Sequence, residues 1–297
     1  MTPDQAAEAA DPARQAPAPP TLLERAPGPL AAPGSPLRRI SAVILRYWFL
    51  LRGSWPRLLE LAYWPTIQMV LWGFITLNLV GDSSWVSQSF GVLISGVLLW
   101  DVLFRGQLGF SLCFLEELWS RNLGHLFVSP LRPHEWLIAM MTMSLVRTLI
   151  GIIPACLLAI VFYGWNVFSI GFPLVGFFAC LLVTGWWMGL IITALILLLG
   201  LGAESLAWLI VFLFAPISAI YYPVDVLPTA LQWLAYALPP AHVFEGMRSV
   251  LFGHGMAWGH LLAAIGLNIA YLALGGAVFL VSFHTARRQG ALLQQGE

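Results

Sequence analysis

The chain has 297 residues, 59% of them hydrophobic and only 9% charged, with a mean hydropathy of +0.83. Soluble globular chains carry about 25% charged residues, so this composition excludes a water-coated surface and points to the membrane. The formal net charge is zero and all 14 basic residues are Arg; without Lys, P-loop ATP hydrolysis and Schiff-base catalysis are excluded.

Residues 1–36 are rich in Ala and Pro and read as a disordered tail. Early acidic residues and the lack of an apolar core segment argue against a signal peptide. From Leu37 to Pro56, Ile40, Val43, Ile44, Tyr47, Trp48 and Leu51 recur at helical spacing opposite Arg38, Arg39, Arg46 and Arg52. That pattern predicts a helix in the interface plane, aromatics toward acyl chains and arginines toward phosphates.

Six spans follow by length and apolarity, at about Leu59–Val80, Phe90–Cys113, Trp136–Phe162, Phe172–Leu199, Leu206–Tyr222 and Leu261–Phe283. An even number puts both termini on one side. The arginines from Arg38 to Arg57, with Arg121, Arg132, Arg287 and Arg288, make that side cytoplasmic, while Arg248 alone falls in a loop of the other face. Asp82 and Asp225 then face outward. Residues 223–255 are too Pro-broken to span and too apolar for a free loop, which predicts two short half-helices dipping into the outer leaflet. Residues 289–297 form a C-terminal tail. Cys113, Cys156 and Cys180 are odd in number and widely spaced, and read as small hydrophobes rather than a metal site or disulfide framework.

Several polar residues are candidates for function. Between spans two and three, Glu116, Glu117, Arg121 and Asn122 sit beside Leu115, Leu118, Trp119, Leu123, Leu126 and Phe127, predicting a short amphipathic cytoplasmic helix ended by Ser129-Pro130. Composition alone reads it as another interfacial helix; the sharper reading is a docking helix for a soluble partner, which the acidic residues suit because they gain nothing at an anionic lipid surface. Asp101 and Arg105 share a helix face at i,i+4 within span two, and Arg147 lies near the middle of span three. These three are expected to form one buried compensated network, with a proton or substrate relay as the competing reading. Glu204 falls in a cytoplasmic turn, as a solvated residue or a second partner contact. His242, Glu245 and Arg248, with His254 and His260 downstream, read as polar groups lining an outer exit, Glu245 and Arg248 forming a local ion pair. No zinc-protease helix or nucleophile elbow accompanies them.

Taken together, the interface helix, the loop EELWSRNLGHLFVSPL, the stretch YYPVDVLPTALQWLAYALPP from Tyr221 to Pro240 and AHVFEGMR from Ala241 to Arg248 resemble the type-2 permeases of ABC exporters. The resemblance covers residues 37–288. It implies an all-α polytopic domain of the type V exporter kind, with six transmembrane helices, an N-terminal interface helix and a re-entrant outer segment before the last span. It also implies a homodimer or pseudo-dimer in the bacterial inner membrane, bound to two copies of a cytoplasmic ABC ATPase and to lipids, with no nucleic-acid role. This chain would hold no cofactor, ATP and Mg²⁺ being bound by the ATPase. Glu116, Glu117, Trp119, Arg121 and Asn122 would occupy the helix that couples ATP hydrolysis to export of an amphipathic, lipid-linked, glycan or drug-like substrate. Two other classes compete: an intramembrane lipid-modifying enzyme using His242 or His254 with Glu245, and a channel or assembly scaffold.

Overall fold

The computed structural model describes residues 35–79 and 84–288; the predicted tails, apart from Ser35 and Pro36, and Asp82 lie outside the described residues. Among the described residues the protein is all helical. Helix α1 spans Pro36–Arg52, α2 Trp55–Leu79, α3 Ser84–Trp119, α4 Leu123–Val128 and α5 Pro133–Tyr163. The chain continues through α6 Phe172–Leu199, α7 Leu206–Phe214, α8 Thr229–Tyr236, α9 Pro239–Leu251 and α10 Trp258–Arg288. Local chemistry sets these ends. Helix α5 starts on Pro133 at its first position, with Glu135 accepting a hydrogen bond from the Arg132 backbone N–H at 3.0 Å, and it stops at Gly164, whose φ of 64° is left-handed.

Helix α3 is the axis of the bundle: 83% of its apolar window is buried inside the protein, against 17% for α2 and 22% for α10. Those two therefore leave most of their apolar surface uncovered by the rest of the chain. Helix α6 lies directly on α3. A Cβ at Gly185 would sit 2.6 Å from the Gln107 nitrogen and 2.8 Å from the Leu103 carbonyl, so only glycine permits the approach. Helix α10 is tied to α6 by a buried amide. Asn268 donates from Nδ2 to the Cys180 carbonyl (3.0 Å), and its Oδ1 accepts from Thr184 (2.9 Å) and Trp187 (3.2 Å). An unpaired amide there would be costly, so this bond set fixes the register of the two helices.

The bundle has two unlike ends. One apolar cluster joins Tyr47, Phe114, Leu123, Trp136, Ile196 and Phe279, bringing together α1, the last turns of α3 and the first turns of α5. We term it the arginine end. The opposite end is built on Phe90, Ile94, Phe177, Val243, Phe244 and Leu261.

Three predicted elements take a different form. Among the described residues, five of the six predicted spans are helices long and apolar enough to cross a membrane. Of the predicted span Leu206–Tyr222 only α7, nine residues, is α-helical, which is about 13 Å at 1.5 Å per residue. The chain then passes through turns in which Ala219 adopts a φ of 53°. Second, the predicted separate helix from Phe114 is instead the end of α3, which runs unbroken to Trp119. Its 36 residues measure about 54 Å, well beyond a hydrocarbon core of about 30 Å, so the last turns need not end where the apolar run does. Third, two arginines of α1 engage protein carboxylates: Arg39 pairs with Glu135 at 2.6 Å and Arg46 with Glu117 at 2.9 Å. Residues 223–255 do contain two short helices. Helix α8 is exposed, with Trp233 at 78%, whereas α9 buries Val243, Phe244 and Met247 completely.

Candidate functional site

At the arginine end the carboxylates of α3 act as anchors for three other helices. Glu116 accepts from Arg147 of α5 at 2.9 and 3.0 Å, and from Arg57 of α2 at 3.2 Å. Glu117 is 1% exposed, pairs with Arg46 of α1 and accepts from Asn122 Nδ2 at 2.7 Å. The predicted three-residue network of Asp101, Arg105 and Arg147 therefore divides. Asp101 and Arg105 pair within α3 at 2.6 Å, while Arg147 belongs to Glu116. The reason is reach: Glu116 presents both its oxygens to Arg147, whereas Asp101 is already held by Arg105 one turn away. Two donors are left over. Arg105 Nη2 and Arg147 Nε are buried without a hydrogen-bond partner.

These charges wall a cavity of about 400 Å³ between α2, α3, α5 and α7. Asp101, Arg105, Glu116 and Arg147 share its lining with the aromatic rings of Trp64, Phe104, Trp119, Trp208 and Phe212. Arg57 and Glu60 complete the charged wall. The cavity thus offers apolar and aromatic area beside charged side chains, a lining suited to an amphipathic molecule.

Beyond the cavity, α3 ends in a sharp turn. Ser120 and Arg121 are exposed, Arg121 has a φ of 53°, and α4 follows. Trp119 is 48% exposed and donates to Glu204 Oε2 at 3.3 Å, which joins the turn to the chain leading into α7. The expected coupling residues are thereby separated by environment. Glu116, Glu117 and Asn122 are engaged inside the protein and Leu115 and Leu123 are core, leaving Trp119, Arg121, His125 and Val128 (89% exposed) on the surface. Nothing is described of the Phe127 side chain.

At the opposite end, Arg248 of α9 ties the unwound chain after α7. Its guanidinium donates to the Ala219 carbonyl at 2.6 and 2.9 Å and to the Tyr222 carbonyl at 2.8 Å, and pairs with Glu245 at 3.1 Å. Glu245 in turn accepts from the Val224 backbone N–H at 2.8 Å. Burial lowers Arg248 from its ordinary value and Glu245 opposes that shift. His242 meets His260 of α10, Nδ1 to Nδ1, at 3.1 Å. His254 lies exposed in the α9–α10 loop.

Sequence reasoning missed Arg46 and Arg57 as partners of Glu117 and Glu116, because pairs so far apart in the chain have no helical spacing to betray them. The only available signal was charge arithmetic: several carboxylates crowd a region that also holds most of the arginines.

Described residues that are all helical, with five helices long and apolar enough to cross a membrane and an ion-paired cavity among them, have the make-up of a membrane transport domain. The chain belongs to the ABC-2 type transporter family, whose model matches residues 42–252, well over half of its length. The match runs from α1 through α9 and stops short of α10. No curated protein sequence matches the chain. The family is one of transport permease domains that carry no ATPase domain of their own.

Proposed function

We propose that this protein is the permease subunit of an ATP-driven exporter, working as two copies with two cytoplasmic ABC ATPases in a bacterial inner membrane. ATP and Mg²⁺ belong to the ATPase. In this reading both termini are cytoplasmic, the arginine end faces the ATPase, α7 with its following turns is a sixth crossing, and α8–α9 re-enter from the outer leaflet. The substrate is amphipathic, a lipid-linked, glycan or drug-like molecule.

One observation carries the reading: the exposed turn and the cavity share residues. Trp119 and Glu116 both line the cavity, and Trp119 is also the last residue before the exposed turn. A displacement of the turn therefore acts on the cavity wall through less than two turns of helix. Along that path it meets Arg147 and Arg57, which Glu116 holds, and Glu204, which Trp119 holds. This is a short mechanical route from a docking surface to a binding space.

The enzyme reading is weaker. Glu245 is occupied by Arg248 and the Val224 N–H, so it is not disposed as a base beside His242.

Truncation of Trp119 tests the proposal. Buried aromatics at interfaces cost about 2 kcal/mol or more when cut back. Trp119→Ala should lower recovery of the ATPase with the permease by an order of magnitude or more, with unchanged permease expression. Arg121→Glu should reduce recovery more at low salt than at high salt. Full ATPase recovery with both variants would overturn the assignment of this turn.

A further inference from the structure

The two histidines at the end opposite the arginines do more than line a surface. His242 is the fourth residue of α9 and His260 the third of α10. His242 Nε2 lies 2.9 Å from the Tyr236 carbonyl. A carbonyl only accepts, so that nitrogen carries the hydrogen and a neutral His242 has a bare Nδ1. The bare nitrogen faces His260 Nδ1 at 3.1 Å, so His260 supplies the single proton between them. The facing nitrogens hold one proton well. A second would set two N–H groups and two positive charges against each other.

We propose that His242 and His260 form a proton-operated latch between α9 and α10, closed when one proton is shared and opened when both rings are charged. The loop it spans has two glycines at left-handed angles, Gly253 at 79° and Gly255 at 80°, so the ends of α9 and α10 are joined by a link that does not itself fix them. One and nearly two turns beyond His242 stand Glu245 and Arg248, which grip Ala219, Tyr222 and Val224. Opening the latch therefore loosens the element that holds the unwound chain after α7.

The surroundings decide the direction. Burial pushes His242 below its ordinary value of 6.5, the Tyr236 carbonyl raises it, His260 lowers it and Glu245 raises it. The other titratable groups on the elements around the pair are Tyr236 from α8, Asp225 from the turn Val224–Val226, Arg248 from α9 and Tyr271 from α10, with His254 exposed in the α9–α10 loop. Helix α6 contributes no Asp, Glu or Arg. With its native value depressed, His242 takes up a proton less readily folded than unfolded. The latch is stable above about pH 6.5 and is lost as pH falls below that. A metal is the other reading of two facing imidazoles, but a bound metal takes three or four protein ligands, and among the described residues no group of three lies close enough.

Hydrogen exchange of residues 229–257, measured on the full chain in lipid nanodiscs and corrected for intrinsic rates, tests the latch. Protection should fall by on the order of tenfold between pH 8 and pH 5.5. His260→Asn keeps a donor and an acceptor but takes no proton, and should flatten the step. His242→Asn should flatten it from the other side, and His254→Ala should leave it intact. The latch is overturned by equal protection at both pH values in the native chain, by a step that survives in both Asn variants, or by one lost in His254→Ala. Loss of protection at pH 8 on adding EDTA would assign the pair to a metal instead.

Discussion

Glu116 holds more of the arginine end than any other described side chain, since two helices reach it through Arg57 and Arg147. The two contacts are unequal. Arg57 is half exposed, so its pair is screened and contributes little. Arg147 is 4% exposed and depends on Glu116 for its charge balance. Glu116→Gln should therefore destabilise the protein by about 3 kcal/mol or more, because breaking a buried pair from one side strands the other charge. Adding Arg147→Met should recover most of that loss, and a double-mutant cycle on melting in detergent measures the coupling. Asp101→Ala with Arg147→Met should be close to additive, as the two side chains belong to different pairs. Only one of these partnerships was legible in the sequence. Asp101 and Arg105 are i,i+4 on one helix, a relation fixed by helical geometry alone. Arg147 and Glu116 are 31 residues apart and Arg57 and Glu116 are 59, so only the packing of α2 and α5 on α3 makes them neighbours.

At the scale of elements, the long apolar helices were plain from composition, and the departures fall where one side chain overrides an apolar run. Residues 206–222 read as a span because almost every side chain suits lipid. The helix stops at Phe214 all the same. Pro216 supplies no N–H, and the carbonyls of Ala219 and Tyr222 are taken by an arginine from another helix. Pro216 was visible in the sequence, but Arg248 lies 29 residues from Ala219 and its target could not be foreseen. The opposite error occurred at α3, where a charged stretch read as a separate helix continues the span because Glu116 and Glu117 find buried partners. If Arg248 is what keeps residues 215–222 unwound, removing it leaves the buried Ala219 carbonyl unpaired, at about 1–3 kcal/mol, and the part-buried Tyr222 carbonyl at less. Arg248→Met should accordingly lower the melting temperature and increase hydrogen exchange in residues 215–224. Arg248→Lys should recover only part, since an ammonium lacks the planar fork that reaches both carbonyls and Glu245. Equal exchange in all three proteins would show that Pro216 alone sets the break.

For the molecule as a whole, the ends of the bundle differ in charge far more than in apolarity. Arg39, Arg46, Arg57 and Arg147 gather at one end with the carboxylates they pair with, and Arg287 and Arg288 close α10 there, whereas the histidine end has Arg248. Basic residues flanking spans are retained on the cytoplasmic side, so the arginine end should be cytoplasmic. The path of the chain agrees with this orientation if the passage through α7 is a crossing. Glu204 bonds Trp119 at the arginine end, while Ile220 packs with Val243 and Phe244 at the other. The chain therefore changes ends between residues 204 and 220 although only nine of those residues are α-helical. Asp225, His254 and Arg288 are all exposed, which makes them suitable positions for a reporter cysteine, and native Cys113, Cys156 and Cys180 are buried, which keeps the background low. In intact cells a membrane-impermeant maleimide should label Asp225→Cys and His254→Cys and leave Arg288→Cys unlabelled until the membrane is opened. Labelling of Arg288→Cys alone would invert the molecule. Labelling of Asp225→Cys together with Arg288→Cys would show that α7 and its turns fold back to the side they came from, with the end-to-end passage made within one leaflet.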